Sequence, residues 1–197
     1  MMNYSQEELR AFGFKRLGNN VRIHRTAFIA GHQHISLGDN SRIDCFSLIS
    51  AAEQGVDIGS HVHIAAGCYL FGGGGRIVME DFSGLSSRVA LYTATDDYSG
   101  GAMTNPTVPD EFRNVKTGDV ILRKHAIVGA GCVILPGVEL KTGAAIGALT
   151  CVRKDVKEFS IQVGNLHRPE TVGKRGRDLL ELEERCRNQS KEIDAAA

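Results

Sequence analysis

The sequence predicts an all-β fold: a left-handed parallel β-helix of about six 18-residue coils, with a long loop near residues 94–119. Three observations predict it. Aliphatic residues recur at every sixth position, and these repeats fall into groups of three, as expected for a triangular prism whose faces are built in turn. The chain also has 23 glycines but only four prolines, which indicates many tight turns rather than a disordered linker.

The six-residue period is clearest in the second half of the chain. An amphipathic helix repeats about every 3.6 residues and a strand every two, so neither explains it. Each repeat is expected to form a short strand and a corner, with the aliphatic residue inside the prism and a small or apolar residue four positions later at the corner. The aliphatic positions are Leu122, Val128, Ile134, Leu140, Ile146 and Val152, and the corner positions are Ala126, Cys132, Val138, Ala144, Thr150 and Val156.

The same register continues upstream, interrupted by four insertions. Each insertion follows the third member of a group, so all four are expected at one vertical edge of the prism. Three are short, and the fourth runs from about Ala94 to Asp119. Because a long loop in a compact domain is usually functional or disordered, and this one grows from the edge that holds the other insertions, we expect chemistry there. The upstream groups are Leu17, Ile23 and Ile29; Leu37, Ile43 and Ile49; Ile58, Ile64 and Leu70; and Met79, Leu85 and Leu91.

Both ends of the chain are expected to cover terminal coils, whose strands would otherwise expose unpaired edges. Ser5 and Glu8 have the spacing of a capping box, which predicts a short helix that closes at Gly13. From about Thr171 to Ile193, charged residues surround an apolar strip of Leu179, Leu182 and Cys186, which predicts a second helix. We therefore divide the chain into an N-terminal cap at 1–16, a β-helix domain at 17–169, and a C-terminal helix and tail at 170–197.

The composition excludes several classes of partner. The 23 basic and 23 acidic residues balance, so no overall field favours nucleic acid or an anionic membrane. The chain has no run of 18 apolar residues and no basic start followed by an apolar stretch, so we expect a soluble cytoplasmic protein without membrane insertion. Its five cysteines include no CxxC pair, which favours a reducing compartment.

Three segments resemble the hexapeptide-repeat acyltransferases. They are Ile127–Val138 (IVGAGCVILPGV), Ala145–Ala148 and Val152–Asp155. Within that superfamily the chain is most similar to the galactoside, maltose and O-antigen sugar acetyltransferases, and the resemblance covers roughly Leu17 to Arg175. It implies an acyltransferase that uses acetyl-CoA as cosubstrate and a sugar or nucleotide sugar as acceptor. It also implies a homotrimer, with each active site in a cleft between two subunits.

The resemblance implies five residues that bind CoA. Ala130 and Ala148 match positions whose backbone contacts the pantetheine arm, at corners lined by small residues. Arg153 and Lys154 match a pair near the nucleotide end, and Arg168 matches a basic residue after the last coil. Phosphates need cations, so these roles are chemically sound. The alternative is that Arg153 and Lys154 only solvate the last coil.

The catalytic base is the point at which this chain departs from the family pattern. The galactoside enzymes carry a histidine early in the long loop, and the matching position here is Asp96, beside Asp97. An ordinary aspartate, with a pKa of about 3.9, is a weak base toward a hydroxyl, so an aspartate base would favour an amino-sugar acceptor. Alternatively, the pair caps the loop turn or binds sugar hydroxyls. His34, in an insertion, is a competing candidate, and His32, His61, His63 and His125 are others.

These features predict an acetyl-CoA-dependent acetyltransferase that modifies a saccharide or nucleotide amino sugar at oxygen or nitrogen, in cell-surface polysaccharide biosynthesis. The acceptor would attack the thioester directly, and Cys68 and Cys132 fall on corner positions of the core rather than acting as nucleophiles. A non-catalytic β-helix scaffold is one alternative. A metalloenzyme like the γ-class carbonic anhydrases is another, but the HxxxxH spacing of their zinc ligands is absent, so we predict no metal site.

Overall fold

The computed structural model describes residues 2–164, 170–174, 177, 180–185 and 187–188. Over these residues the chain forms a parallel β-solenoid with three faces, as the six-residue period predicts. Face 1 consists of β1 (Arg16–Leu17), β4 (Ile35–Leu37), β7 (Val56–Ile58), β10 (Ile77–Met79), β15 (Val120–Leu122) and β18 (Glu139–Leu140).

Two further parallel sheets complete the prism. Face 2 consists of β2 (Arg22–Ile23), β5 (Arg42–Ile43), β8 (His63–Ile64), β11 (Gly84–Leu85), β16 (Ile127–Val128), β19 (Ala145–Ile146) and β21 (Ser160–Val163), with β22 (Glu170–Lys174) antiparallel at its end. Face 3 consists of β3 (Phe28–Ala30), β6 (Leu48–Ala51), β9 (Tyr69–Gly72), β12 (Ala90–Tyr92), β17 (Val133–Ile134) and β20 (Cys151–Val152).

The interior of the prism is the hydrophobic core. The aliphatic residues of the six-residue period are buried, apart from the partly buried Leu17 and Ile29 of the first coil. Cys68 and Cys132 are also buried, and their thiols donate hydrogen bonds to the carbonyls of Ser86 (3.1 Å) and Gly147 (3.0 Å). Burial raises the pKa of both thiols, which agrees with a packing role rather than a nucleophilic one.

Many corners of the solenoid hold one residue in the left-handed conformation. On the edge between faces 1 and 2, this residue follows the buried aliphatic residue by three positions. Asn40, His61, Phe82 and His125 occupy it, with φ of 57°, 57°, 60° and 60°. Glycine and asparagine are the residues that most readily adopt this conformation. The structure shows that aromatic and imidazole side chains also adopt this conformation here, and they stack on one another from coil to coil.

All four insertions lie at the edge between faces 3 and 1, as predicted. They join β3 to β4, β6 to β7, β9 to β10 and β12 to β15. Successive insertions pack directly on each other: a Cβ at Gly74 would lie 2.8 Å from the carbonyl oxygen of Thr93, and the backbone N–H of Arg76 donates to Asp119 at 2.8 Å. The insertions therefore form one continuous edge.

The coil count needs a correction. The sequence predicts about six coils, whereas the solenoid has about seven turns, because Val156 pairs with Leu140 on face 1 and β21 pairs with β19 on face 2. The last turn does not follow the six-residue repeat because its corner is short. Val156 follows Val152 by only four positions, so the aliphatic position leaves the six-residue register.

The two ends also pack on the solenoid. Helix α1 (Gln6–Ala11) begins with the predicted capping box of Ser5 and Glu8, and Leu9 is fully buried beside the first coil. At the other end, the helix predicted from about Thr171 begins later: β22 occupies 170–174, and helical residues lie at 180–185 and 187–188. The sequence Thr171-Val172-Gly173 explains the difference, since β-branched residues and glycine disfavour a helix.

No helix in the described part of the chain is long and apolar enough to cross a membrane.

Candidate active site

The long loop is closed at its base by a short antiparallel pair, β13 (Ala94–Thr95) with β14 (Lys116–Thr117). Asp97 follows β13 and is almost fully buried. Its carboxylate accepts hydrogen bonds from the backbone N–H of Ser99 (2.9 Å) and from Asn114 Nδ2 (2.8 Å), with Lys116 Nζ 3.7 Å away. The Ser99 N–H, with Asn114, lowers the pKa of Asp97 to about 2. Asp97 therefore holds the loop together, as the capping alternative predicts.

Asp96 is in a different environment from its neighbour. One oxygen, Oδ2, accepts the backbone N–H of Asn105 at 3.1 Å. The other, Oδ1, lies 3.6 Å from the guanidinium of Arg113, too far for a strong hydrogen bond. The side chain is 24% exposed. Asp96 therefore keeps one carboxylate oxygen available to a molecule that approaches the loop.

Two predicted CoA contacts lie on the edge between faces 2 and 3, in successive coils. The backbone N–H of Leu149 donates to the carbonyl of Ala130 at 2.9 Å. One coil further toward the N-terminus, the N–H of Gly131 donates to the carbonyl of Ser87 at 3.0 Å. Ala148 and Ala130 therefore continue in line to Ser86 and Ser87. An elongated molecule lying along this edge would arrive at the two serines.

Beside these serines, face 2 has a hollow of about 390 Å³, which we call the Gly84 hollow. It exists because the outward-facing residue of β11 is Gly84, which has no side chain. In the strand register, Gly84 stands between His63 of β8 and Ile127 of β16. The hollow is lined by His61, His63, Phe82, Ser86, Ser87, His125 and Ile127, among others.

His63 is a polar side chain of the hollow whose orientation is fixed by a hydrogen bond. Its Nε2 lies 2.8 Å from Asp44 Oδ2, and Asp44 Oδ1 also accepts Arg42 Nε at 2.6 Å. Burial opposes ionisation of Asp44, but the hydrogen bonds from His63 and Arg42 outweigh it, so the pKa of Asp44 is lowered. The imidazole is thus held in one orientation on the exposed surface of face 2.

The other candidate histidines have structural surroundings. His61 and His125 stack on the two faces of Phe82, with ring centroids 4.7 and 5.4 Å apart. His125 Nε2 also lies 2.8 Å from Glu183 Oε2 in the C-terminal helix. His32 packs between two aromatic rings of the N-terminal cap, 5.2 Å from Phe12 and 5.1 Å from Phe14.

His34 and the basic CoA candidates lie away from the Gly84 hollow. His34 ends a 3-10 turn (His32–His34) in the first insertion, on the same edge as the long loop but three coils away. Arg153 and Lys154 are exposed and follow β20, at the edge between faces 3 and 1. Within one chain they therefore do not share an edge with Ala148. Arg168 lies outside the described residues.

Sequence reasoning missed Ser86 and Gly84. Both had a weak signal in the sequence. Ser86-Ser87 occupies the same corner positions as Gly129-Ala130 and Gly147-Ala148, so the predicted path of the pantetheine leads to these two serines. Gly84 is the only glycine at an outward position in the middle of face 2. Among the described residues, no group of three or more His, Cys, Asp or Glu side chains is placed to hold a metal ion.

Comparison with known proteins identifies close relatives. The chain is 43% identical over 183 residues, 92% of its length and 94% of the relative's, to a dTDP-4-amino-4,6-dideoxy-D-glucose acyltransferase of Escherichia coli. It is 42% identical to AntD, an N-acyltransferase from Bacillus cereus solved in complex with dTDP and 3-hydroxybutyryl-CoA; the match covers 96% of this chain and 98% of AntD, with a TM-score of 0.91. AntD has also been solved with dTDP-4-amino-4,6-dideoxyglucose and CoA.

More distant likeness supports the fold alone. A maltose O-acetyltransferase from Clostridium difficile 630 superposes with a TM-score of 0.57 at 18% identity, over 87% of this chain and 75% of that one. No protein-family model matches the sequence.

Proposed function

Because this chain belongs to the hexapeptide-repeat acyl-CoA-dependent N-acyltransferases, the family of AntD, we propose that it transfers an acyl group to the 4-amino group of dTDP-4-amino-4,6-dideoxyglucose. The observation that carries this proposal is the alignment of Ala148, Ala130 and Ser87 along one edge, which leads a CoA arm to Ser87, the adjacent Ser86 and the Gly84 hollow. A non-catalytic scaffold would need neither feature. The polysaccharide role predicted from the sequence agrees with a nucleotide-sugar acceptor.

The reaction is a direct transfer. The neutral amine attacks the thioester carbonyl, a C–N bond forms, and the C–S bond breaks with its electron pair on sulfur. The amine loses one proton, and the CoA thiolate takes up one proton. Since the thioester is already activated, no covalent enzyme intermediate is required. The protein has to align the two substrates, stabilise the oxyanion and assist the proton transfer.

We propose acetyl-CoA as the acyl donor. The resemblance of the segment Ile127–Val138 to sugar acetyltransferases supports acetyl, and 3-hydroxybutyryl, the acyl group of the CoA ester in the AntD structure, is the alternative. Ala148 and Ala130 would offer backbone groups to the pantetheine amides. Ser86, adjacent to Ser87 at the end of this line, would donate its hydroxyl to the thioester oxygen.

The acceptor is proposed to lie along face 2. Its amino sugar would occupy the Gly84 hollow and its diphosphate would reach toward the N-terminal coils. In the strand register, the outward residues below Gly84 are His63, Arg42 and Arg22, a basic column. Coils are about 4.8 Å apart, so Arg42 stands roughly 10 Å from Gly84, within reach of a sugar-linked diphosphate. Guanidinium groups suit phosphate oxygens because they donate two hydrogen bonds at once.

The site is proposed to be shared between copies of the chain. The long loop leaves the edge between faces 3 and 1, which in a triangular prism lies opposite face 2. Asp96 and the Gly84 hollow of one chain therefore point in different directions, and a neighbouring copy has to bring them together. Three copies around a threefold axis would pair each loop with the next chain's hollow, which supports a homotrimer.

Asp96 is the proposed proton acceptor, and His34 is not needed in this scheme. Asp96 Oδ1, whose contact with Arg113 is long at 3.6 Å, supports the role, whereas both oxygens of Asp97 accept hydrogen bonds within the loop. AntD has been studied with substitutions at a serine and at an aspartate ten positions further along. Here Ser86 and Asp96 have that spacing, and so do Ser87 and Asp97. We also propose a cytoplasmic location, supported by the free thiols of Cys45, Cys68, Cys132 and Cys151.

The test is an assay of purified protein with dTDP-4-amino-4,6-dideoxyglucose and acetyl-CoA. Free thiol and the mass of the sugar product are measured together, and dTDP-glucose, with a hydroxyl at C4, is the matched acceptor control. We expect thiol release and one added acyl group with the amine only. A series of short acyl-CoAs then gives the preferred donor. No transfer to the amino sugar from any donor in the series would contradict the proposal.

A further inference from the structure

Gly84 occupies a position at which a β-solenoid does not need glycine. It is the outward residue of strand β11, in the middle of face 2. Glycine weakens a strand interior because it brings no packing surface and loses much conformational entropy. The other residues of this outward column on the parallel strands all carry side chains; Gly173 of the antiparallel terminal strand β22 pairs with Ile161. In coil order the column is Arg22, Arg42, His63, Gly84, Ile127, Ala145 and Ile161.

The backbone gives no reason for this glycine. Gly84 is not among the glycines with positive φ. A Cβ added to it would meet only the carbonyl oxygen of His63, at 3.5 Å, which is ordinary van der Waals contact. By contrast, a Cβ at Gly129 would lie 2.6 Å from the backbone nitrogen of Ala148, so packing of the coils requires glycine at 129. At Gly84, folding tolerates a side chain.

A glycine inside a strand that neither conformation nor crowding requires often marks the close approach of a ligand. We propose that Gly84 is a specificity-determining residue whose missing side chain makes the seat for the pyranose ring of the acceptor. This inference rests on the proposed function. It adds which residue sets the size of the acceptor that the enzyme accepts.

The surroundings of Gly84 favour a sugar over the acyl chain. The hollow runs from Ser86 across face 2 to His61 and Phe82, away from the line of the pantetheine. One wall, Ile127, is apolar and 43% exposed, and suits the C6 methyl group of a 6-deoxy sugar. The opposite wall is His63, which Asp44 holds at 2.8 Å and which suits a sugar hydroxyl. Beyond His63, Arg42 and Arg22 of the same column would bind the diphosphate of the acceptor.

The experiment compares Gly84→Ala and Gly84→Val with the wild type. Steady-state kinetics are measured with dTDP-4-amino-4,6-dideoxyglucose and, separately, with acyl-CoA as the varied substrate. Ala145→Val, in the same column two coils further on, is the matched control. Thermal unfolding and mass in solution are recorded for each variant. We expect kcat/KM for the acceptor to fall more than tenfold in Gly84→Val and by less in Gly84→Ala, with an unchanged KM for acyl-CoA and unchanged unfolding temperatures.

Each outcome has a defined meaning. An acceptor kcat/KM within twofold of wild type in Gly84→Val would overturn the inference. So would an increase confined to the KM for acyl-CoA, since the hollow would then hold the acyl chain. If Gly84→Val fails to assemble, the folded Gly84→Ala decides: its acceptor kcat/KM must fall at least threefold. A wild-type protein without acceptor activity would contradict the proposed function itself, which separates the two failures.

Discussion

The side-chain amide of Asn114 donates a 2.8 Å hydrogen bond to Asp97 Oδ2 and so joins the two ends of the long loop. The same carboxylate accepts the N–H of Ser99. Its neighbour Asp96 keeps one oxygen with only a long contact to Arg113. Two adjacent aspartates that look interchangeable in the sequence therefore have different surroundings, and we expect different roles for them.

Substitution is expected to separate these two roles. Asp97→Ala should loosen the loop, because the Ser99 N–H and the Asn114 amide lose their acceptor. Amide hydrogen exchange of residues 98–105 at pH 7 should become faster, and kcat/KM should fall as a consequence. Asp96→Asn should leave exchange at the Asp97 cap unchanged but lower kcat about 10²-fold, the usual effect of losing a general base. Glu111→Gln, at an exposed carboxylate of the same loop, is the control and should change neither.

The pH dependence of the loop follows from the same pKa. The folded-state pKa of Asp97 is about 2, below its ordinary value of 3.8. A lowered carboxyl pKa stabilises the fold above the unfolded pKa, and the contribution is lost as pH falls through the folded value. The loop should therefore stay closed down to about pH 4 and open between pH 4 and 2. Protection factors at residues 98–105, corrected for the slow intrinsic exchange in acid, that stay unchanged below pH 2 would contradict this assignment.

Mixed oligomers test whether the active site is shared. Ser86→Ala alters the Gly84 hollow, and Asp96→Ala alters the loop of the opposite edge. We expect Ser86 and Asp96 to meet only between chains. In a mixed oligomer, the intact Asp96 of a Ser86→Ala chain can then complete the site at the intact Ser86 of an Asp96→Ala chain. Refolding an equal mixture of the two variants should restore about a quarter of wild-type activity, because about one interface in four then has both residues. Activity no higher than the mean of the two separate variants would mean that Ser86 and Asp96 act together within one chain.

The CoA phosphates provide a charge test. Arg153→Glu should weaken CoA binding about tenfold, which corresponds to ~1.4 kcal/mol, because a phosphate contact becomes a repulsion. Lys157→Glu makes the same type of charge change at an exposed position a few residues later and should leave the Kd unchanged. Isothermal titration with CoA measures both. Equal Kd values for the two variants would mean that Arg153 only solvates the last coil.

Much of the architecture was predictable because it depends on local repetition. The six-residue interval between Leu122 and Val128 implies one face of a coil, and three such intervals complete the coil. The extra residues after Ile29 or Leu91 imply the position of the insertion edge. The partial last coil was missed because the corner between Val152 and Val156 is too short to keep the period.

The site was less predictable because its contacts join distant coils. Ser86 and Ser87 resemble any other corner serines until Gly129 and Ala130 of the next coil are stacked on them. His63 pairs with Asp44 across 19 residues, and His125 pairs with Glu183 across 58 residues. No local sequence pattern predicts either pair. Sequence could nominate both Asp96 and Asp97, but only the hydrogen bonds of the loop distinguish them.

The C-terminal helix provides a last test, through Glu183. Its carboxylate accepts Lys124 Nζ (3.0 Å), Arg187 Nε (2.9 Å) and a bond to His125 Nε2 (2.8 Å). Burial opposes its ionisation, but these hydrogen bonds outweigh burial and lower the pKa of Glu183 from 4.5 to about 2. The ionised carboxylate therefore anchors the helix beside the Gly84 hollow.

Glu183→Gln is expected to destabilise the fold at pH 7 by about 1–2 kcal/mol, since a mostly buried ion network is broken but solvent screens part of it. Because the pKa is lowered on folding, the difference from wild type should persist above pH 4.5 and close as pH falls toward 2. Thermal unfolding of both proteins between pH 2 and 7 measures this gap. Glu184→Gln, at the exposed neighbouring position, should show no gap at any pH. A Glu183→Gln gap that stays constant over the whole range would mean that the helix is held by packing rather than by this carboxylate.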